Sequence, residues 1–117
     1  MTVFVVCVGE GKGTWGFVSQ LISSESWERI IIVTTSYFKE KFVPAKTCEF
    51  VVCNEDSSLD EISAQIQKSL NNLFGDVAVN FVSGSGKLHM ATMSALLKAG
   101  VGIRLVGIDS EKKIKEL

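Results

Sequence analysis

Apolar residues follow two rhythms along this chain. Continuous runs alternate with segments whose apolar positions recur every three or four residues. Val3–Val8, Arg29–Thr35, Thr47–Cys53, Asp76–Val82 and Val101–Ile108 are the runs, rich in Val and Ile. All five read as strands, and Val3–Val8, continuous in its apolar character, reads as one buried in a parallel sheet. Between the first two, Thr14–Ser23 reads as a helix with Thr14 as its cap and Phe17, Val18, Leu21 and Ile22 apolar. Ser36–Phe42 reads as one or two helical turns ended by Pro44. Ser58-Leu-Asp-Glu61 is a capping-box pattern that opens a helix to about Phe74. On that helix Leu59, Ile62, Ile66, Leu70, Leu73 and Phe74 fall on one stripe, opposite Glu61, Gln65, Lys68 and Asn72.

The last helical segment, Gly84–Ala99, breaks this pattern. Leu88, Ala91, Ala95 and Ala99 form one side, and Met90, Met93 and Leu97 lie on the other. A helix apolar nearly all round is buried on both faces. One face meets the sheet. The other meets a second subunit, or else a loop or the C-terminal segment covers it. After Ile108, Asp109–Lys113 is turn-like, and Ile114–Leu117 reads as a short antiparallel edge strand or a solvated helical tail.

Strands alternating with helices predict an α/β fold: a Rossmann-like, doubly wound, mostly parallel sheet in a three-layer α/β/α sandwich. In the order 3-2-1-4-5, strands 1 and 4 are neighbours. The winding reverses between them, and ligands bind there, beyond the C-terminal strand ends. Five of the ten glycines fall in the two loops after these strands: Gly9, Gly11 and Gly13, then Gly84 and Gly86.

With 117 residues, the chain makes one domain, residues 1–117. A net charge of −1 offers no basic field for long nucleic acid. Cys7, Cys48 and Cys53 are odd in number and form no CxxC pair, so they read as buried free thiols in a reducing cytoplasm. No metal site is indicated, since the chain has a single histidine, His89. Met1–Val8 is too short for a secretory signal core, and no apolar run reaches membrane-spanning length. The expectation is a soluble cytoplasmic protein without a cofactor.

The chemistry concentrates at Ser83-Gly-Ser-Gly-Lys87, where a strand runs through a glycine turn into a helix. Backbone N–H groups and the positive helix end converge there, and Lys87 adds a full charge. This predicts an anion site, most simply one for phosphate. It is not a P-loop. Phe81 stands where that motif needs its first Gly, and Leu88 replaces the Ser or Thr that holds magnesium. Gly9-Glu-Gly-Lys-Gly13 is likewise not a dinucleotide fingerprint, its glycines being too closely spaced.

The two loops resemble those of the CRISPR-associated Rossmann-fold (CARF) family. Its members carry an Asn-x-[Ser/Thr]-Gly-Gly-[Thr/Met]-[Lys/Arg]-like turn before a helix rich in small and apolar residues. Ser83–Lys87 matches in position and length, with Ser85 for the second Gly and Gly86 for the Thr or Met. Asn80 is displaced by one from the family's Asn, where Phe81 stands. The resemblance implies a homodimer that binds cyclic oligoadenylate across its two-fold axis. Lys87 and the amides around Ser83, Gly84, Ser85 and Gly86 would hold ring phosphates. Gly9, Glu10, Gly11, Lys12, Gly13 and Thr14 of the first loop would reach the same ring.

Most such proteins join this domain to an effector, for which this chain has no room. The expectation is therefore a ring nuclease that cleaves cyclic oligoadenylate, the tetra-adenylate first among them, and shuts off type III CRISPR signalling. A ribose 2′-hydroxyl would attack its own phosphodiester without metal, with Lys87, Lys12 and Glu10 as catalytic residues. Two alternatives stand beside it. One is a non-catalytic cyclic oligoadenylate sensor or sponge. The other is a Rossmann-like domain that binds another phosphorylated small ligand. Trp15 and Tyr37 could stack on adenine, with core or interface packing as the plainer reading. His89 reads as a hydrogen-bonded interface residue more readily than as a base.

Overall fold

A computed structural model describes residues 2–117, except for the side chain of Lys12. Six strands form one sheet in the order β3-β2-β1-β4-β5-β6. They are β1 (Val3–Cys7), β2 (Arg29–Thr34), β3 (Glu49–Val52), β4 (Asp76–Asn80), β5 (Gly102–Ile108) and β6 (Ile114–Glu116). The first five run parallel, and β6 returns antiparallel along β5 with Ile108 opposite Ile114. The fold is Rossmann-like, and its order is the one expected from the alternating pattern. The C-terminal segment is an edge strand, settling that choice against a helical tail.

Four helices cover the sheet: α1 (Trp15–Ser24), α2 (Ser36–Lys41), α3 (Leu59–Ser69) and α4 (Gly86–Ala99). Alternation along β1 divides the core. Val3, Val5 and Cys7 face one layer with Ile62 and Ile66 of α3 and Leu88, Ala91 and Ala95 of α4. Phe4, Val6 and Val8 face the other with Val18, Leu21 and Ile22 of α1 and Phe42 after α2. β1 and the core of β2 are buried on both sides, which is why their sequences read as unbroken apolar runs.

Ser58 caps the helix, its hydroxyl accepting the Glu61 N–H at 3.2 Å, but the Glu61 carboxylate accepts the Ser58 hydroxyl at 3.1 Å in place of the backbone N–H of a full capping box. The helix it opens stops at Ser69 instead of Phe74. Leu70 caps it, and Asn72 turns left-handed at φ 69°, which no continuing helix allows. Ile62, Ile66 and Leu70 therefore keep their buried stripe, while Leu59 and Phe74 are exposed. α4 begins at Gly86, two residues later than the pattern suggests. Gly84 is left-handed at φ 98° and Ser85 is extended as the N-cap. Gly100 ends it at φ 75°. Leu88, Ala91 and Ala95 are buried as expected, but Ala99, expected on the same side, is exposed at the helix end, and on the outer face Met90 and Leu97 are 63% and 65% exposed in the single chain.

Candidate functional site

The loops after β1 and β4 meet beyond the C-terminal strand ends, and the contact is backbone on backbone. A Cβ at Gly9 would lie 2.7 Å from the Gly84 Cα, too close for any side chain. A Cβ at Gly84 would lie 3.1 Å from the Cys7 Cβ and 3.3 Å from His89 Nε2. These two glycines are required by the approach of the loops. Ser83 joins them: its buried hydroxyl accepts the Gly9 N–H at 3.2 Å. It is a buried strut between loops, and its hydroxyl is turned away from solvent.

His89, one turn into α4, reaches back to the Ser83 carbonyl at 2.6 Å and stacks on Phe81 with ring centres 5.0 Å apart. A carbonyl can only accept, so Nε2 carries the proton in this bond. Asn80 ties the same turn to β5. Its amide donates to the Val106 carbonyl at 2.8 Å, and its carbonyl oxygen accepts the Val82 N–H at 2.9 Å. The displaced Asn thus has a structural place at the end of β4.

The turn delivers the N-terminus of α4 to solvent. Ser85 caps it, accepting the Leu88 N–H at 3.2 Å. The first-turn amides of a helix have no partner within it, which leaves those of Gly86 and Lys87 to a ligand or water. The Ser85 hydroxyl also donates to the Glu55 carboxylate at 2.8 Å, and the Lys87 ammonium donates to the Glu55 backbone carbonyl. Glu55 lies in the turn after β3, which Asn54 closes by accepting the Asp56 N–H at 3.0 Å. A carboxylate at a helix start is where the dipole favours negative charge. Spacing along the chain held no signal for Glu55. It is one acid in a polar turn some thirty residues before its partners.

The first loop is built differently. Gly11 turns at φ 90°, and its carbonyl accepts both the Thr14 N–H at 2.9 Å and the Thr14 hydroxyl at 2.6 Å. Thr14 precedes α1 as expected, yet its side chain makes this turn and does not cap the helix. Trp15 donates its indole N–H to the Gly9 carbonyl at 2.8 Å and lies edge-on to Phe38 and Phe42. Glu10, Gly11 and Gly13 are exposed. Glu10 and Gly11 line a cleft of about 590 Å³ with Trp15, Tyr37, Phe38 and Lys41. The side chain expected at Lys12 lies outside the described part of the structure. Of the three residues expected to be catalytic, Lys87 stands at α4 beside Glu55, and Glu10 stands in the aromatic cleft.

Cys7 and Cys53 are buried thiols. Burial pushes Cys7 up to about 12, against a weaker opposing effect of its Thr92 hydrogen bond. Burial, with the nearby Glu55 charge, pushes Cys53 up to about 11. Both stay protonated at neutral pH. Cys48, expected to be buried with them, is half-buried. Among the described residues, no group of three His, Cys, Asp or Glu side chains is placed to hold a metal, and no helix is long and apolar enough to cross a membrane. No protein-family model matches the chain, and no curated protein matches its sequence.

Proposed function

We propose that the protein binds cyclic oligoadenylate in the cytoplasm and opens the ring, with phosphates held where the two glycine loops meet. The observation that carries this reading is the backbone contact of Gly9 with Gly84 at the switch point between β1 and β4. It presents the start of α4 and Lys87 at the place where Rossmann-like sheets take their ligands. The CARF-like turn at Ser83–Lys87 supplies the ligand class. The exposed Met90 and Leu97 on α4 supply an apolar face for a second copy, so that a symmetric ring lies across a two-fold axis.

In this scheme the ribose 2′ oxygen attacks the adjacent phosphorus in line. The new P–O bond forms as the P–O5′ bond breaks. The hydroxyl proton passes to water, and the departing 5′ oxygen takes one up. Lys87 leaves the Glu55 carbonyl for the phosphorane, where it and the Gly86 amide meet the growing negative charge. Holding the ring in the in-line geometry is the larger part of the work. A second reading, a sensor that binds without cleaving, draws on the engagement of Lys87 with Glu55.

The test is incubation of the pure protein with cyclic tri-, tetra- and hexa-adenylate in EDTA, read by mass spectrometry. Linear products ending in 2′,3′-cyclic phosphate are expected, with the tetra-adenylate as preferred substrate. Intact rings retained on the protein would give the sensor. Intact rings that do not bind would overturn the ligand class and return the site to another phosphorylated small molecule.

A further inference from the structure

We infer that Glu55 is a latch on the anion site, its carboxylate holding the start of α4 in the free protein and leaving it when a phosphate binds. The inference rests on the proposed placing of phosphate at that helix start, and it identifies what already stands there. Two side-chain donors stand at that point, the Ser85 hydroxyl and the Lys87 ammonium, and the turn after β3 engages both. The hydroxyl donates to the Glu55 carboxylate at 2.8 Å, and the ammonium donates to the Glu55 carbonyl. A serine hydroxyl has a single proton to donate. A phosphate that takes it displaces the carboxylate. Both anions are favoured by the positive end of the helix, and their like charges keep them from sharing it.

The turn can release without disturbing the fold. Its ends are anchored: the Cys53 N–H donates to the Thr34 carbonyl at 2.7 Å, and Ser58 opens α3 as its N-cap. Asn54 shapes the middle, its side chain accepting the Asp56 N–H and its carbonyl the Ser57 N–H, each at 3.0 Å. Asn54, Glu55 and Asp56 are exposed, so Glu55 can swing into water without opening the core. The partners across the site are fixed, since Ser83 is bonded to Gly9 and His89 to the Ser83 carbonyl. Movement therefore falls on the β3 turn, and the donors at α4 stay in place. The apparent affinity for an anion is then its intrinsic affinity multiplied by the unlatched fraction. A latch closed about nine times in ten weakens each anion by about tenfold. Single phosphates are held off the site, and a ligand with further contacts to the protein opens it.

The probe is inorganic phosphate, titrated at constant ionic strength into wild type, Glu55→Ala, Glu55→Asp and Asp56→Asn, with the Gly86 and Lys87 amide signals read by NMR. Glu55→Ala should bind phosphate about five- to tenfold more tightly than wild type. Glu55→Asp keeps the charge but draws it back by one methylene from Ser85, and should tighten binding in the same direction. Asp56→Asn removes an equal charge from the same turn. Among the described residues the Asp56 side chain makes no hydrogen bond, so phosphate affinity should stay at the wild-type value. The altered side chains are exposed, and an unchanged unfolding midpoint checks that each variant is folded. Equal phosphate affinity in wild type and Glu55→Ala overturns the latch. Tightening in Glu55→Ala but not in Glu55→Asp, or equal tightening in Asp56→Asn, makes the effect one of charge alone and also overturns it. No shift at Gly86 and Lys87 in any of the four proteins overturns the latch together with the anion site. Cyclic tetra-adenylate separates the latch from the proposed function. Tighter phosphate binding in Glu55→Ala with rings left unbound keeps the latch and loses ring opening. Ring opening with the same KM in Glu55→Ala and wild type keeps the function and loses the latch.

Discussion

The loop after β4 is pinned along its length, whereas the loop after β1 is held at its ends and open between them. In the first case Asn80, Ser83, Ser85 and His89 each hold part of the turn through a hydrogen bond, and Gly84 is packed against Cys7. In the second, Gly9 is bonded at both its N–H and its carbonyl and Thr14 closes the far end, while Glu10, Gly11 and Gly13 are exposed. Binding an anion through backbone amides calls for donors already in place, because any reorganisation subtracts from affinity. The β4 loop has that character. Under the proposed function, the exposed β1 loop would adjust to the body of a ligand whose charge the β4 loop holds.

The largest expected effect breaks the functional half of this comparison. Lys87→Ala should lower ring opening by about a hundredfold or more, since it removes a full charge from the phosphorane. Its ammonium bonds only an exposed turn carbonyl in the free protein, so the unfolding midpoint should stay where it is. Wild-type turnover in this variant would remove Lys87 from the mechanism.

The next effect sharpens the structural half. Gly9→Ala forces a methyl onto the Gly84 backbone and should destabilise the fold by about 2–3 kcal/mol in urea unfolding. Gly13→Ala meets nothing within 4 Å and should stay within about 0.5 kcal/mol of wild type. Equal losses at both glycines would mean that the loops are not in the contact described.

The smallest effect lies at the opposite end of the sheet and serves as a control. Arg29 grips Glu49 through two hydrogen bonds of 2.8 and 2.7 Å. The Arg29 hydrogen bond holds the Glu49 carboxyl below the usual carboxylate range. A carboxyl depressed on folding contributes stability above its unfolded pKa and loses it as pH falls through its folded value. Glu49→Gln should therefore cost less than about 1 kcal/mol at neutral pH, as exposed pairs do. The gap between variant and wild type should close on acidification below the ordinary carboxylate range. Ring opening should not change.

The fold was legible because its central strands are buried on both faces, and buried strands write themselves as apolar runs. Elements ended where local geometry overrode that rhythm. Asn72 turned left-handed before Phe74 could join its stripe, and Gly84 delayed the start of α4. The glycine loops were legible as a pair because two close backbones admit no Cβ at their contact. The neighbours of Lys87 were not. Glu55 reaches Ser85 and Lys87 only through the way β3 and α4 lie in the finished fold, and no period or spacing encodes that meeting. Exposure of Tyr37 beside buried Phe42 was likewise decided by the short α2, too brief to show a periodic face.

The most direct measurement is an amide NMR titration of the protein with cyclic tetra-adenylate. The largest shifts are expected at Gly9, Gly84, Gly86 and Lys87, with smaller ones along Glu10–Gly13 as the open loop adjusts. Shifts confined to the groove lined by Trp27, Arg104 and Glu116, or no shift at Gly84–Lys87 under saturating ligand, would contradict a phosphate site at the meeting of the two loops.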